Sequence, residues 1–138
     1  MFVSVTRLRL RSVRFLPRFI IDAAQAARQT GRSSGFLRGR VLPDRGMTFW
    51  TITLWQDEQA MRNYRSSGRH GLIMRRLAGW CSEAAVVHWT SSDAELPDWT
   101  EAHRRLSSEG RLSKVDHPSP EHIERRFREP RTSLSRSL

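Results

Sequence analysis

Hydrophobic and polar positions are most sharply patterned in Met47–Trp55, MTFWTITLW, nine residues without a charge, a glycine or a proline. Aromatic, β-branched and aliphatic side chains dominate it, which is a strand composition. Period-two alternation sends Met47, Phe49, Thr51, Thr53 and Trp55 to one face and Thr48, Trp50, Ile52 and Leu54 to the other. Both faces carry large apolar groups, so the strand needs a cover on each side. Helices can supply one. In so short a chain, a second copy of the protein is the expected source of the other.

The same reading extends along the chain. Phe2–Leu10 alternates Phe2, Ser4, Thr6 and Leu8 against Val3, Val5, Arg7 and Arg9, a first strand whose arginine end opens to solvent or to an anion. Pro17 suits the first turn of a helix running to Thr30, with Ile20, Ala23, Ala24 and Ala27 at helical spacing, Phe19, Ala23 and Ala26 reinforcing the face, and Gly31 as the stop. Phe36–Leu42 reads as an edge strand blunted by arginines, and Pro43-Asp44-Arg45-Gly46 as the turn into Met47–Trp55. Asp57 caps a short helix, Ser66-Ser67-Gly68 interrupts it, and a second helix runs from about Arg69 to Ala78 with His70, Ile73, Leu77 and Trp80 on one face. Glu83–Thr90 is the fourth strand. The order β-α-β-β-α-α-β predicts an α+β, ferredoxin-like domain over residues 1–91, with a four-stranded antiparallel sheet and its second helix broken in two. Residues 92–138 read as a polar extension with short helices at Trp99–Ser107 and Glu121–Glu129. Large apolar groups become sparse beyond Ser107, so the extension is expected to be largely disordered.

Charge adds one feature. The formal net charge of +10 is carried unevenly, as +8, +2 and 0 over residues 1–46, 47–92 and 93–138, and Lys114 is the only lysine among the 24 basic residues. A basic first third attracts nucleic acid, anionic lipid or acidic molecules. No nucleic-acid-reading motif accompanies it and the aromatics sit in apolar runs, so a solvated arginine surface is expected, with no specific nucleic-acid partner. Cys81 is alone, which excludes an internal disulfide and fits a reducing compartment. The arginines before Asp22 resemble a transit peptide, but their alternating pattern reads as a mature strand. No run approaches the ~20 apolar residues of a membrane helix. The expected location is cytoplasmic.

The candidate chemistry rests on few residues. His70, near a helix start, would be kept neutral by the helix dipole, fit to be a metal or haem ligand or a proton acceptor; a capping or surface role is the alternative. His88 in Val-Val-His-Trp is a second candidate, with a satisfied core or interface histidine as its alternative. Glu83 could be a carboxylate partner or simply an exposed acid at a strand start. Thr51 and Thr53 could line a cavity. Cys81 has no visible activating neighbour and reads as a packed thiol. Zinc cysteine pairs, HExxH, Walker, GxSxG and GxGxxG signatures are all absent, so nothing points to a nucleotide enzyme or a self-sufficient hydrolase.

The succession Thr48-Phe49-Trp50-Thr51-Ile52-Thr53-Leu54-Trp55, Asp57-Glu58, Ala60-Met61, Tyr64, Ser67-Gly68, His70 and Trp80-Cys81-Ser82-Glu83-Ala84 resembles the spheroidene-monooxygenase-like group. That group is similar to the antibiotic-biosynthesis-monooxygenase type of dimeric α/β barrel. The resemblance implies a homodimer whose sheets face each other, and an oxidoreductase acting as a monooxygenase on an apolar or aromatic small molecule. It implies haem as a candidate cofactor, with His70 at the matching Gly-x-His position as axial ligand, although other barrels of this type use no cofactor. The catalytic candidates are then His70, His88 and Glu83, and the candidate ligand contacts are Trp50, Thr51, Thr53, Trp55, Tyr64 and Trp80. Two other readings stay open: a non-catalytic barrel that binds a hydrophobic ligand or haem, and a basic interaction protein.

Overall fold

A computed structural model describes the chain with the exception of residues 68–71, on which the expectation for His70 falls; that residue lies outside the described ones. Six strands form one antiparallel sheet: β1 (Phe2–Leu10), β2 (Phe36–Asp44), β3 (Thr48–Trp55), β4 (Cys81–Thr90), β5 (Arg111–Leu112) and β6 (Arg136–Ser137). Their spatial order is β5-β4-β1-β3-β2-β6. The inner four are the predicted strands in ferredoxin-like order. The expected four-stranded sheet is corrected to six because two-residue segments of the C-terminal region pair with each outer strand, β5 with β4 and β6 with β2. The sheet keeps two edges and does not close into a barrel. Strand β3 begins at Thr48 because Met47 (φ 59) and Gly46 (φ 67) occupy the left-handed region in the preceding turn, where a strand residue cannot sit.

Helices α1 (Leu16–Arg32), α2 (Glu58–Ser66) and α3 (Gly68–Trp80) cover one face. Asp57 caps α2 by accepting from the Ala60 N–H at 2.8 Å. Below α2, Phe2, Trp55 and Met61 form one apolar cluster; below α1 and the end of α3, Leu10, Phe19 and Cys81 form another. Helix α1 is rotated from the face its alanines suggested. Phe19, Asp22 and Thr30 are buried, whereas Ile20 and Ile21 are about half exposed. The cause is an ion pair: both carboxylate oxygens of Asp22 accept from Arg76 Nη1, at 3.2 and 3.0 Å, tying α1 to α3 through a carboxylate that must then face inward.

The opposite face is filled from within the chain. Helix α4 (Trp99–Glu109) lays Trp99, Ala102 and Leu106 on Val3, Val5, Leu42, Trp50, Ile52, Leu54, Ala85 and Val87. Phe127, beyond the single-turn α5 (Pro120–Ile123), completes this cluster. The extension expected to be largely disordered is here pinned at several points. The Trp99 indole donates to Ser135 Oγ (2.9 Å), the Ser119 N–H to the Ser82 carbonyl (2.9 Å) and the Leu138 N–H to the Gly39 carbonyl (2.9 Å). The second layer that Met47–Trp55 demanded is therefore α4 and its continuation. Sheet-to-sheet pairing of two copies, which the resemblance implied, finds this face occupied.

Candidate functional site

The face beneath α1–α3 is not sealed along its middle. In the two central strands the helix-facing positions are Ser4 and Thr6 of β1 and Thr51 and Thr53 of β3, and all four are only partly buried. Register sets them in rows. Ser4 lies between Thr53 and His88, and Thr6 between Thr51 and Val86. Neighbouring strands stand about 4.8 Å apart, so each row brings its polar groups within reach of one small molecule. Central strands under a helix layer ordinarily carry large apolar side chains on that face. Here short hydroxyls leave a band between the Phe2/Trp55/Met61 cluster and the Leu10/Phe19/Cys81 cluster.

His88 ends the first row. Its ring lies 5.5 Å from that of Phe2. Burial lowers its pKa below the usual 6.5, and the nearby Arg65 cation lowers it further, so the imidazole is neutral at pH 7. Trp55 and Tyr64 form the adjoining wall, with ring centroids 5.2 Å apart, and the Trp55 indole donates to Thr53 Oγ1 at 2.9 Å. Burial raises the Tyr64 pKa, and a hydrogen bond with Thr30 opposes the rise only in part, so its phenol stays protonated.

The remaining predicted residues fall elsewhere. Trp50 is on the outer face, fully buried against α4, and is a core residue rather than a ligand contact of the helix-side band. Alternation dictates this, since Trp50 has the opposite parity to Thr51 and Thr53. Trp80 stacks on Phe15 (6.0 Å, 18°) in the second cluster, at the far end of the helix layer from Trp55. Glu83 is likewise on the outer face. It is not an exposed strand-start acid: it is 1% exposed and holds Arg7 Nη1 on one oxygen (2.9 Å) and Arg9 Nη1 on the other (3.0 Å). His88 and Glu83 thus lie on opposite sides of the sheet and cannot share a proton. Ser4 and Thr6 belong to no recognised motif, yet their signal is present in the sequence: FVSVT and FWTIT repeat hydroxyls at every second position of two paired strands.

No haem site is evident among the described residues. A haem site needs an apolar slot with an imidazole aimed into it. His122 Nδ1 accepts the Ala84 N–H (3.2 Å), and His103 Nε2 meets the Phe127 carbonyl (2.7 Å). Two clefts, of about 460 and 430 Å³, are lined mainly by arginines and by amides and hydroxyls respectively. Among the described residues no group of three or more His, Cys, Asp or Glu could hold a metal ion.

This antiparallel α+β architecture is the antibiotic-biosynthesis-monooxygenase type of ferredoxin-like fold. SnoaB, a cofactor-independent oxygenase from Streptomyces nogalater, superposes with a TM-score of 0.56 at 20% identity, covering 70% of this chain and 97% of its own. A Nitrosomonas europaea protein assigned as an antibiotic biosynthesis monooxygenase gives 0.60 at 14% identity, covering 67% and 100%. Rv0793 from Mycobacterium tuberculosis gives 0.60 at 12% identity, covering 67% and 95%. These likenesses establish the fold, and about a third of this chain has no counterpart in them. No curated protein matches the sequence. Residues 11–115 match the family described as Domain of unknown function (DUF3291), and the chain belongs to that family.

Proposed function

We propose that this protein is an oxygenase that acts on an apolar or aromatic small molecule bound along the hydroxyl band beneath α1–α3. The observation that carries the reading is the row His88–Ser4–Thr53, partly buried and polar, set beside an apolar wall of Phe2, Met61, Trp55 and Tyr64. The likeness of the fold to oxygenases supports it, including one whose name states that it works without a cofactor.

In this reading the neutral His88 imidazole takes a proton from an acidic C–H or O–H of the substrate. The hydroxyls of Ser4, Thr51 and Thr53 donate to the oxyanion that results, held where water is scarce. The electron-rich anion then reacts with molecular oxygen. For an activated methylene the balance closes without an outside reductant: the carbon loses two hydrogens and gains one oxygen as a carbonyl, and the other oxygen leaves as water. No step in this reading is assigned to haem. The homodimer implied by the resemblance is not carried into this reading across the outer face, which α4 fills. No helix among the described residues is long and apolar enough to cross a membrane.

Oxygen uptake with a panel of phenols and aromatic active-methylene compounds tests the proposal. Turnover by the wild type and a loss of about a hundredfold in His88→Gln are expected, in line with the usual contribution of a general base. Uptake that is unchanged in His88→Gln would overturn the assignment. Quenching of tryptophan fluorescence by these compounds with no oxygen uptake would favour the alternative, a non-catalytic module that binds a hydrophobic ligand.

A further inference from the structure

On the outer face, at the end of the sheet away from His88, lies an open cleft of about 460 Å³. Five arginines line it: Arg7 and Arg9 from β1, and Arg125, Arg126 and Arg128 from the segment after α5. Glu83 and Glu121 are the only acids among its lining residues, which leaves an excess of three positive charges. Glu83 is already committed, one oxygen to Arg7 and one to Arg9.

Three features distinguish this cleft from a solvated arginine surface. First, its floor is buried: Arg7 is 6% exposed, and its guanidinium sits between the rings of Trp50 (5.7 Å) and Phe127 (5.0 Å). Rings on both sides lower the local dielectric and strengthen the field of the charge. Second, the Arg7 Nε–H is buried without a hydrogen-bond partner, an unspent donor on a group that ordinarily satisfies every N–H when buried. Third, Arg125 holds a left-handed backbone (φ 59) with a side chain that is neither Gly nor Asn, at the turn that brings Arg126 and Arg128 to the rim. The Arg125 guanidinium donates to the Gly110 carbonyl and Arg126 pairs with Glu124. Arg128 is exposed and has no such partner among the described residues.

We propose that this cleft binds a small, multiply charged oxyanion, a phosphate ester or a clustered carboxylate, with Arg7 at its floor and Arg126 and Arg128 closing over it. Guanidinium forks match the geometry of both groups, and the excess of positive charge suits a multiply charged anion. Phe127, whose ring already covers Arg7, gives the ligand an apolar edge to rest against. The bounded volume favours a small molecule over nucleic acid, which needs an extended basic stripe. This inference does not depend on the oxygenase reading, since the cleft and the hydroxyl band lie on opposite faces of the sheet.

The experiment is calorimetric titration of the full chain with inorganic pyrophosphate and, separately, citrate, at about 50 mM salt to limit screening. Saturable one-to-one binding of either is expected, with a raised midpoint of thermal unfolding. Preference for pyrophosphate over citrate would identify the phosphate source, and the reverse the carboxylate. The double variant Arg126→Ala/Arg128→Ala should weaken binding about tenfold or more, as loss of charge-assisted bonds requires. Arg28→Ala/Arg32→Ala, which removes two exposed charges from α1, should leave it unchanged. An equal loss in both double variants would reduce the cleft to general surface charge and overturn the proposal. Absence of binding by both anions at millimolar concentration would do the same, as would a mixed-sequence oligonucleotide that binds tightly and loses affinity equally in both variants.

Discussion

Trp99 of α4 meets Trp50 of β3 edge to face, with ring centroids 6.5 Å apart and planes at 74°. Both side chains are almost fully buried, and they join the C-terminal segment to the centre of the sheet. Edge-to-face pairs add about 1 kcal/mol to the area they bury. Trp99→Ala should therefore cost roughly 3–5 kcal/mol, the range for removing a buried tryptophan, measured by urea unfolding. A loss below ~1 kcal/mol would mean that α4 rests on the sheet without holding it.

Removal of the whole segment tests the same relationship from the other side. A chain ending at Ser91 would expose Val3, Val5, Trp50, Ile52, Leu54 and Val87 together, far more contiguous apolar surface than a monomer leaves to water. We expect this truncated chain to self-associate in light scattering while the full chain does not do so through that face. Truncated protein that remains folded and monomeric at high concentration would show that the face needs no cover.

Glu83 should behave as a structural charge. Neutralising it as Glu83→Gln leaves Arg7, 7% exposed at its side chain, without its carboxylate. Breaking a buried pair from one side costs about 3–5 kcal/mol, and the partial exposure of Arg9 (34%) places the expected loss at the lower end. Because Glu83 faces away from the hydroxyl band, substrate oxidation per folded molecule should be unaffected. A fall in turnover with unchanged stability would return Glu83 to the catalytic set.

Two histidines make stability depend on pH in a defined direction. Burial lowers the pKa of His88 and of His122 from 6.5. Between that value and the lower folded one, the unfolded chain binds more protons, so stability rises with pH there and is lost as pH falls through the window. His122 adds a second reason, because protonated Nδ1 can no longer accept the Ala84 N–H. The unfolding free energy should therefore decline below about pH 6.5, and His122→Asn should flatten the decline. An identical pH profile in that variant would remove His122 from the account.

Cys81 offers a check on core integrity. Burial pushes its thiol up to about 12, so almost no thiolate exists at pH 8. A thiol reagent should leave the native protein unmodified over the time in which it reacts fully with unfolded protein. Rapid modification of the native protein would show that the cluster beneath α1 opens readily.

How much of this could be read from the chain differs by element, for a physical reason. Strand β1 coincides with the predicted Phe2–Leu10, and the core order β-α-β-β-α-α-β is as the sequence indicated. Alternation and capping are local, and FWTITLW carries its two faces in its own composition. Thr51 and Thr53 could be singled out from that alternation alone. Which rows they form could not, because Ser4, Thr53 and His88 come from three strands and only the pairing register aligns them. The rotation of α1 escaped its alanine pattern because a buried ion pair, Asp22 with Arg76, outweighs a weak apolar stripe.

The C-terminal third is where tertiary structure decided most. By composition it is polar, and although Trp99, Ala102, His103 and Leu106 share a helical face, the large groups beyond them, His122 and Phe127, fall in no regular period. Their burial is worth little locally and much collectively, because the sheet beneath presents an apolar face that must be covered. The sequence by itself determined that Met47–Trp55 requires two covering layers. That the second layer is the chain's own helix, and that Glu83 is buried between two arginines rather than set before a substrate, follow from contacts 49 to 76 residues apart, which no local pattern encodes.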